Sequence, residues 1–90
     1  MGGLHYSAWY GHNEVVQFLL EANANVNLTN PSGSTPLHLS AGTGRIEVVK
    51  SLLKFNADRN LKNADKHTAL DVVLQCKPEN YEDVLKLFEN

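Results

Sequence analysis

The sequence predicts an all-α repeat solenoid of about three units, each made of two short helices and a β-hairpin-like finger. Three observations predict it. The stretch "LHYSAWYGHNEVVQFLL" returns 33 positions later as "LHLSAGTGRIEVVKSLL", and a fixed period of this length marks units stacked in a row. Helix-start and helix-stop residues recur at matching places. The segment "RNLKNADKH" that follows the second copy is polar and rich in turn formers, as an exposed finger requires.

The units fall at residues 1–29, 30–62 and 63–90 of a single domain. In the first, Met1, Gly2 and Gly3 stand where a finger and a helix-starting Thr-Pro are expected, so the chain either begins mid-repeat or is cut from a longer array. The middle unit carries the fullest signals. Thr35 caps a helix and Pro36 suits its first turn, where its missing N–H has no partner to lose. Ser40 and Ala41 are small enough for a neighbouring helix to come close. Gly44 ends the helix in the left-handed conformation. A second helix over 46–54 places Val48, Val49, Leu52 and Leu53 on one inward stripe, and Asn56, which tolerates positive φ, stops it. In the third unit "TALD" replaces "TPLH", Val73 and Leu74 replace the small pair, and about three extra residues enter around 77–80 before a last helix over 81–88. These are the marks of a terminal, capping unit.

The segment "GSTPLHLSAGTGRIEVVKSLLKFNADRN" resembles an ankyrin repeat, and the resemblance covers nearly the whole chain. It rests on the 33-residue period and the T-P-L-H signature at Thr35 to His38. The resemblance implies that His5 and His38 hydrogen-bond backbone and tie one unit's turn to the next. It also implies that contacts with a partner come from the finger residues and from the pair after the small-residue motif. Asn23 and Asn56 stand where the family has Gly, and Lys66 replaces the turn glycine represented by Gly33, so the second finger's tip either changes shape or is strained. Asn27 and Asn60 occupy a finger-base position that resembles a hydroxylation site in some family members, although packing is sufficient reason for an asparagine there.

Composition narrows the function. The chain is 42% hydrophobic and 20% charged, with net charge −2, as expected of a soluble globular domain. Residues 1–44 hold no Lys or Arg, and all eight lie between Arg45 and Lys86. The aromatics Tyr6, Trp9 and Tyr10 lie in the half without positive charge, which argues against a nucleic-acid surface, where basic and aromatic residues interleave. No apolar run approaches the ~20 residues that span a bilayer, so no membrane partner is expected. The single cysteine, Cys76, permits no internal disulfide and favours a reducing compartment, cytoplasm or nucleus. The four histidines lack metal-ligand spacing, no nucleophile has a base and oxyanion donor beside it, and the glycines form no phosphate loop. No cofactor, metal or catalysis is expected.

What differs between the copies is then available for binding. The pair after the small residues is Trp9 and Tyr10 in the first unit and Gly42 and Thr43 in the second, and Tyr6 lies one turn from Trp9. Trp and Tyr are enriched at interface hot spots, although the same aromatics can serve to pack or to cover an end. The fingers offer Thr29, Pro31, Ser32 and Ser34, which are neutral, and Lys62, Ala64, Asp65, Lys66 and His67, a set with basic character unless the lysines serve only solubility. A protein-interaction module is expected, its concave side taking a partner segment with an apolar anchor and acidic residues. The alternative is a structural fragment or assembly subunit, stacked on further repeats or on its own copy through the exposed first-repeat end; a monomer is favoured over self-association.

Overall fold

The structure, a computed structural model, describes residues 3–89; the absent Thr-Pro start of the first unit falls partly on Met1 and Gly2, outside the described residues. Those described form six helices and no strand: α1 (Gly3–Tyr10), α2 (Asn13–Glu21), α3 (Pro36–Gly42), α4 (Ile46–Lys54), α5 (Ala69–Cys76) and α6 (Tyr81–Leu87). None exceeds nine residues, too few to be stable alone in water, so packing must hold them. They form two layers. In one, α3 lies between α1 and α5; in the other, α4 lies between α2 and α6.

The core runs unbroken between the layers, from Leu4, Ala8, Val16 and Leu20 through Leu37, Ala41, Val48, Val49 and Leu52 to Ala69, Val73 and Val84. The inward stripe on α4 is as expected, with Leu53 only partly buried. The small-residue positions behave differently along the stack. Ala8 and Ala41 are fully buried because another helix presses on each. Their counterpart Leu74 is 46% exposed, because no helix covers it among the described residues.

Helix ends follow the sequence signals. The Thr35 hydroxyl accepts the His38 backbone N–H at 3.3 Å, and His38 Nδ1 accepts the Thr35 N–H at 3.1 Å, a reciprocal cap that satisfies two otherwise orphaned donors. Gly44 takes φ 72°, letting the Arg45 N–H reach back to the Ser40 carbonyl at 2.9 Å. Lys77, at the same register as Gly44, also turns left-handed, at φ 42°. Asn23 and Asn56 adopt φ 70° and 65°, where glycine carries no Cβ penalty. Asn56→Gly is therefore expected to stabilise the fold by about 0.5–1 kcal/mol, read as a higher melting temperature.

In the third unit Asp71 takes the place of His38. Its carboxylate accepts the Thr68 N–H at 3.0 Å, and its own N–H reaches the Thr68 hydroxyl at 3.3 Å. Hydrogen bonds from the Thr68 backbone and side chain hold the Asp71 carboxyl below its ordinary value of 3.8, with His67 and Lys62 adding smaller electrostatic help. A carboxylate lowered in the folded state stabilises in full above the unfolded value, and the contribution disappears as pH falls through the folded one. Asp71→Asn is thus expected to unfold at lower denaturant than the native chain at neutral pH. The gap should close in acid below pH 3.8, as urea titrations across that range will measure.

Candidate functional site

The site is built on the way adjacent units are bonded. His5 Nε2 lies 3.2 Å from the Ser34 carbonyl, and His38 Nε2 lies 2.9 Å from the His67 carbonyl. Because His38 Nδ1 accepts the Thr35 amide, Nε2 must carry the proton and donate it. The His38 ring therefore closes its own helix on one side and holds the next unit's finger on the other, whereas the His5 ring makes only the bond to the finger. Asn27 adds a parallel tie, its Oδ1 accepting the Asp58 N–H at 2.8 Å. Ser51 donates to Asn13 Oδ1 at 2.7 Å and receives Gln17 Nε2 at 3.4 Å.

The fingers are tight turns rather than ladders. In the first, the Asn30 N–H donates to the Ser34 carbonyl at 3.0 Å, and the Gly33 N–H donates to the Asn30 carbonyl at 2.8 Å. In the second, the Asn63 and Lys66 amides make the matching bonds to the His67 and Asn63 carbonyls, each at 2.9 Å. The second tip keeps the shape of the first, with Lys66 at φ 67° where Gly33 has 74°. Of the two outcomes expected of Lys66, the structure shows a non-glycine residue at positive φ and no change of shape. The fingers are also joined to each other, the Ala64 N–H donating to the Ser32 carbonyl at 3.0 Å.

These are the bonds of an ankyrin stack, in which a histidine of one unit grips the turn of the next. A family model for ankyrin repeats, in three copies, matches residues 4–90. The chain belongs to the ankyrin-repeat family. A comparison with curated proteins finds no match. Ankyrin repeats are generally protein-interaction modules and typically non-catalytic. Among the described residues, no group of three or more His, Cys, Asp or Glu side chains is placed to hold a metal ion, and no helix is long and apolar enough to cross a membrane.

On this ankyrin scaffold α1 buries Leu4, His5, Ser7 and Ala8 and turns Tyr6, Trp9 and Tyr10 outward, 53%, 44% and 49% exposed. The Tyr6 and Tyr10 rings are 4.7 Å apart, tilted 42°, the pairing expected four residues apart on a helix. His12 stacks on Tyr10 with centroids 6.1 Å apart, extending the aromatic row beyond the helix. The second unit's counterparts are quieter. The Thr43 hydroxyl donates to the Leu39 carbonyl at 2.7 Å. A Cβ on Gly42 would meet Val72 Cγ1 at 2.9 Å, so this glycine already has a packing reason, the close approach of α5.

The finger residues divide in the same way. Thr29, Pro31, Ser32, Lys62, Ala64, Asp65 and Lys66 are exposed, whereas Ser34 and His67 are half-buried, their carbonyls held by His5 and His38. The His67 ring also lies 3.1 Å from Gln75 Nε2. The structure brings Tyr6 and Tyr10 together, and finger to finger. The aromatic row sits on α1, which packs against α3, whereas Lys62 and Lys66 belong to the second finger, which is joined to the first through Ala64 and Ser32.

Three positioning features escaped the sequence reading. Asn30 Oδ1 accepts the Ser32 and Ser34 amides, and Asn63 Oδ1 accepts those of Asp65 and His67, all at 3.0 Å. These two asparagines set the shape of each finger, and their 33-residue spacing was a legible signal. Arg45 crosses Gly11, where a Cβ would meet its Cδ at 2.8 Å, and its Nε donates to the Trp9 carbonyl at 3.1 Å. A cation there suits the C-terminal end of α1 and pins the turn that carries Trp9. Asn80 Nδ2 donates to the Gly44 carbonyl at 2.9 Å. Neither Arg45 nor Asn80 recurs at the period, so repetition could not flag them.

Proposed function

We propose that the chain is a protein-interaction module that binds a partner protein on the face formed by α1, α3 and the two fingers, without catalysing a reaction of its own. One observation carries this reading. Three aromatic side chains stand half-exposed on α1, where the buried face of the helix is already filled and where the next unit has Leu39, Gly42 and Thr43. In this reading Tyr6, Trp9 and Tyr10 form the apolar anchor site, in keeping with the weight of Trp and Tyr at hot spots. Pro31, Ser32, Ser34 and Thr29 line the neutral middle with Thr43 and Gly42. Lys62, Lys66 and His67 meet an acidic stretch of the partner, adding steering and register more than affinity. The family's general role and the rigidity of the bonded fingers support it, since a surface fixed beforehand loses less entropy on binding. A cytoplasmic or nuclear location belongs to the same proposal.

The test is crosslinking mass spectrometry in cells, followed by capture of the identified partner with the native chain and with Trp9→Ala/Tyr10→Ala. The double variant is expected to lose most of the recovered partner while keeping the native thermal unfolding curve, because both side chains are exposed. Undiminished capture by a folded double variant would remove the anchor assignment.

A further inference from the structure

The three aromatic side chains on α1 offer more than apolar surface. Tyr6 and Tyr10 each carry an O–H donor and Trp9 an N–H donor, and none of the three bonds to the chain among the described residues. All three rings are about half exposed, so water satisfies these donors in the free protein. A partner that covers the rings removes that water, and each donor then needs an acceptor from the partner.

The row stays accessible whatever lies before α1. The third-unit counterparts of Trp9 and Tyr10, Gln75 and Cys76, are exposed, although α3 packs against the helix that carries them. In the second unit, with a helix on either side, Gly42 and Thr43 keep part of their surface despite their small size. Only Tyr6, whose counterparts Leu39 and Val72 are half-buried, lies where a further unit would reach.

Partner backbones differ in the acceptors they supply. A helix spends its carbonyls on its own amides. A strand needs a free sheet edge, which α1 does not present. A polyproline II segment makes no internal hydrogen bonds, so its carbonyls are free, and its prolines dock on aromatic rings. The spacing agrees. Such a segment advances about 3.1 Å per residue, so the Tyr6–Tyr10 and Tyr10–His12 centroid distances of 4.7 and 6.1 Å give it a ring every one to two residues. Charge adds a direction. Residues 1–44 hold no Lys or Arg and only two acidic residues, Glu14 and Glu21. Glu14 follows His12 closely in the chain, so a basic residue suits that end of the segment.

We propose that Tyr6, Trp9 and Tyr10 are a docking row for a proline-rich segment of the partner protein, held in the polyproline II conformation with a basic residue at the end near Glu14. This rests on the anchor site proposed above and names the chemistry of what fills it, apart from the acidic stretch that meets the second finger.

Trp9 is the chain's one tryptophan, so its fluorescence reports on the row directly. Titrating the native chain with a peptide of ten prolines flanked by arginines is expected to shift that emission and to saturate with a dissociation constant on the order of 0.1 mM, as for a small, weak interface. Glutamate flanks should weaken binding several-fold, and an alanine-rich helical peptide with arginine flanks should not saturate. Tyr6→Phe/Tyr10→Phe keeps both rings and removes two donors. It is expected to raise the dissociation constant roughly tenfold while unfolding thermally as the native chain does. No saturable shift up to about 1 mM, equal binding of the helical peptide, undiminished binding with glutamate flanks, or an unchanged constant in the phenylalanine variant would each overturn the proposal. If Trp9→Ala/Tyr10→Ala loses the captured partner while the native chain ignores the proline peptide, the anchor site stands and this occupant falls. Capture indifferent to those two residues removes both.

Discussion

His38→Ala is expected to remove about 3 kcal/mol of stability, from the orphaned amide and the emptied volume together. The ring is 3% exposed and serves two units. Its loss strands the Thr35 amide, inside a residue 1% exposed, and frees the His67 carbonyl from its donor. A chain of this size has about 5–13 kcal/mol of stability in total, so the change takes a large fraction of it. A urea titration should show the midpoint falling with an unchanged slope, the sign of lost stability rather than altered compactness. Two companions isolate the cause. His38→Asp should recover part of the loss, because Asp71 shows that a carboxylate closes the same cap. It should not recover all of it, because a carboxylate has no hydrogen to give the next finger. His5→Ala should cost less than His38→Ala, since His5 Nδ1 has no hydrogen-bond partner among the described residues and only one tie is lost. Equal losses at both histidines would mean that packing volume, not the pair of hydrogen bonds, sets the value.

Gly33→Ala is expected to cost about 2 kcal/mol, roughly half from the left-handed backbone and half from steric conflict. The methyl group would sit 2.9 Å from the Ala64 nitrogen, the atom that bonds the Ser32 carbonyl. Backbone cannot swing aside as a side chain can, so the second finger must shift. The melting temperature should fall by roughly 10 °C on the usual scaling for a domain of this size. Amide exchange distinguishes this from a purely local effect: the Ala64 N–H should lose protection in the variant. Retained protection at Ala64 would show that the turn absorbs the methyl without disturbing its neighbour. Lys66 tolerates the same backbone region because no further finger lies against it among the described residues, leaving only the torsional cost.

Much of this architecture was legible from residues that act locally. Thr35 and Pro36 start a helix wherever they stand, Gly44 and Asn56 end one, and the spacing of Val48, Val49 and Leu52 decides which side faces inward. The period also marked Tyr6, Trp9 and Tyr10 as positions that differ between copies, while leaving open whether they pack or face outward; their exposure came from the structure. What could not be read depends on three-dimensional approach. Gly42 looked like a free surface position; only the nearness of Val72 shows that it is small for a reason. Nothing in the period marks Arg45, and its grip on the Trp9 carbonyl arises because the end of α1 and the turn before α4 meet across 36 residues. Lys77 looked like part of an insertion and proved to occupy the left-handed position at the end of α5.

The exchange of His38 for Asp71 has a meaning borrowed from polymer growth. An imidazole with one nitrogen turned back and one turned forward is a propagating end: it finishes its own unit and leaves a hydrogen waiting for another. A carboxylate can only accept, so Asp71 finishes its own unit and offers no hydrogen forward. Giving the third unit a forward bond like that of His38 would begin with Asp71→His.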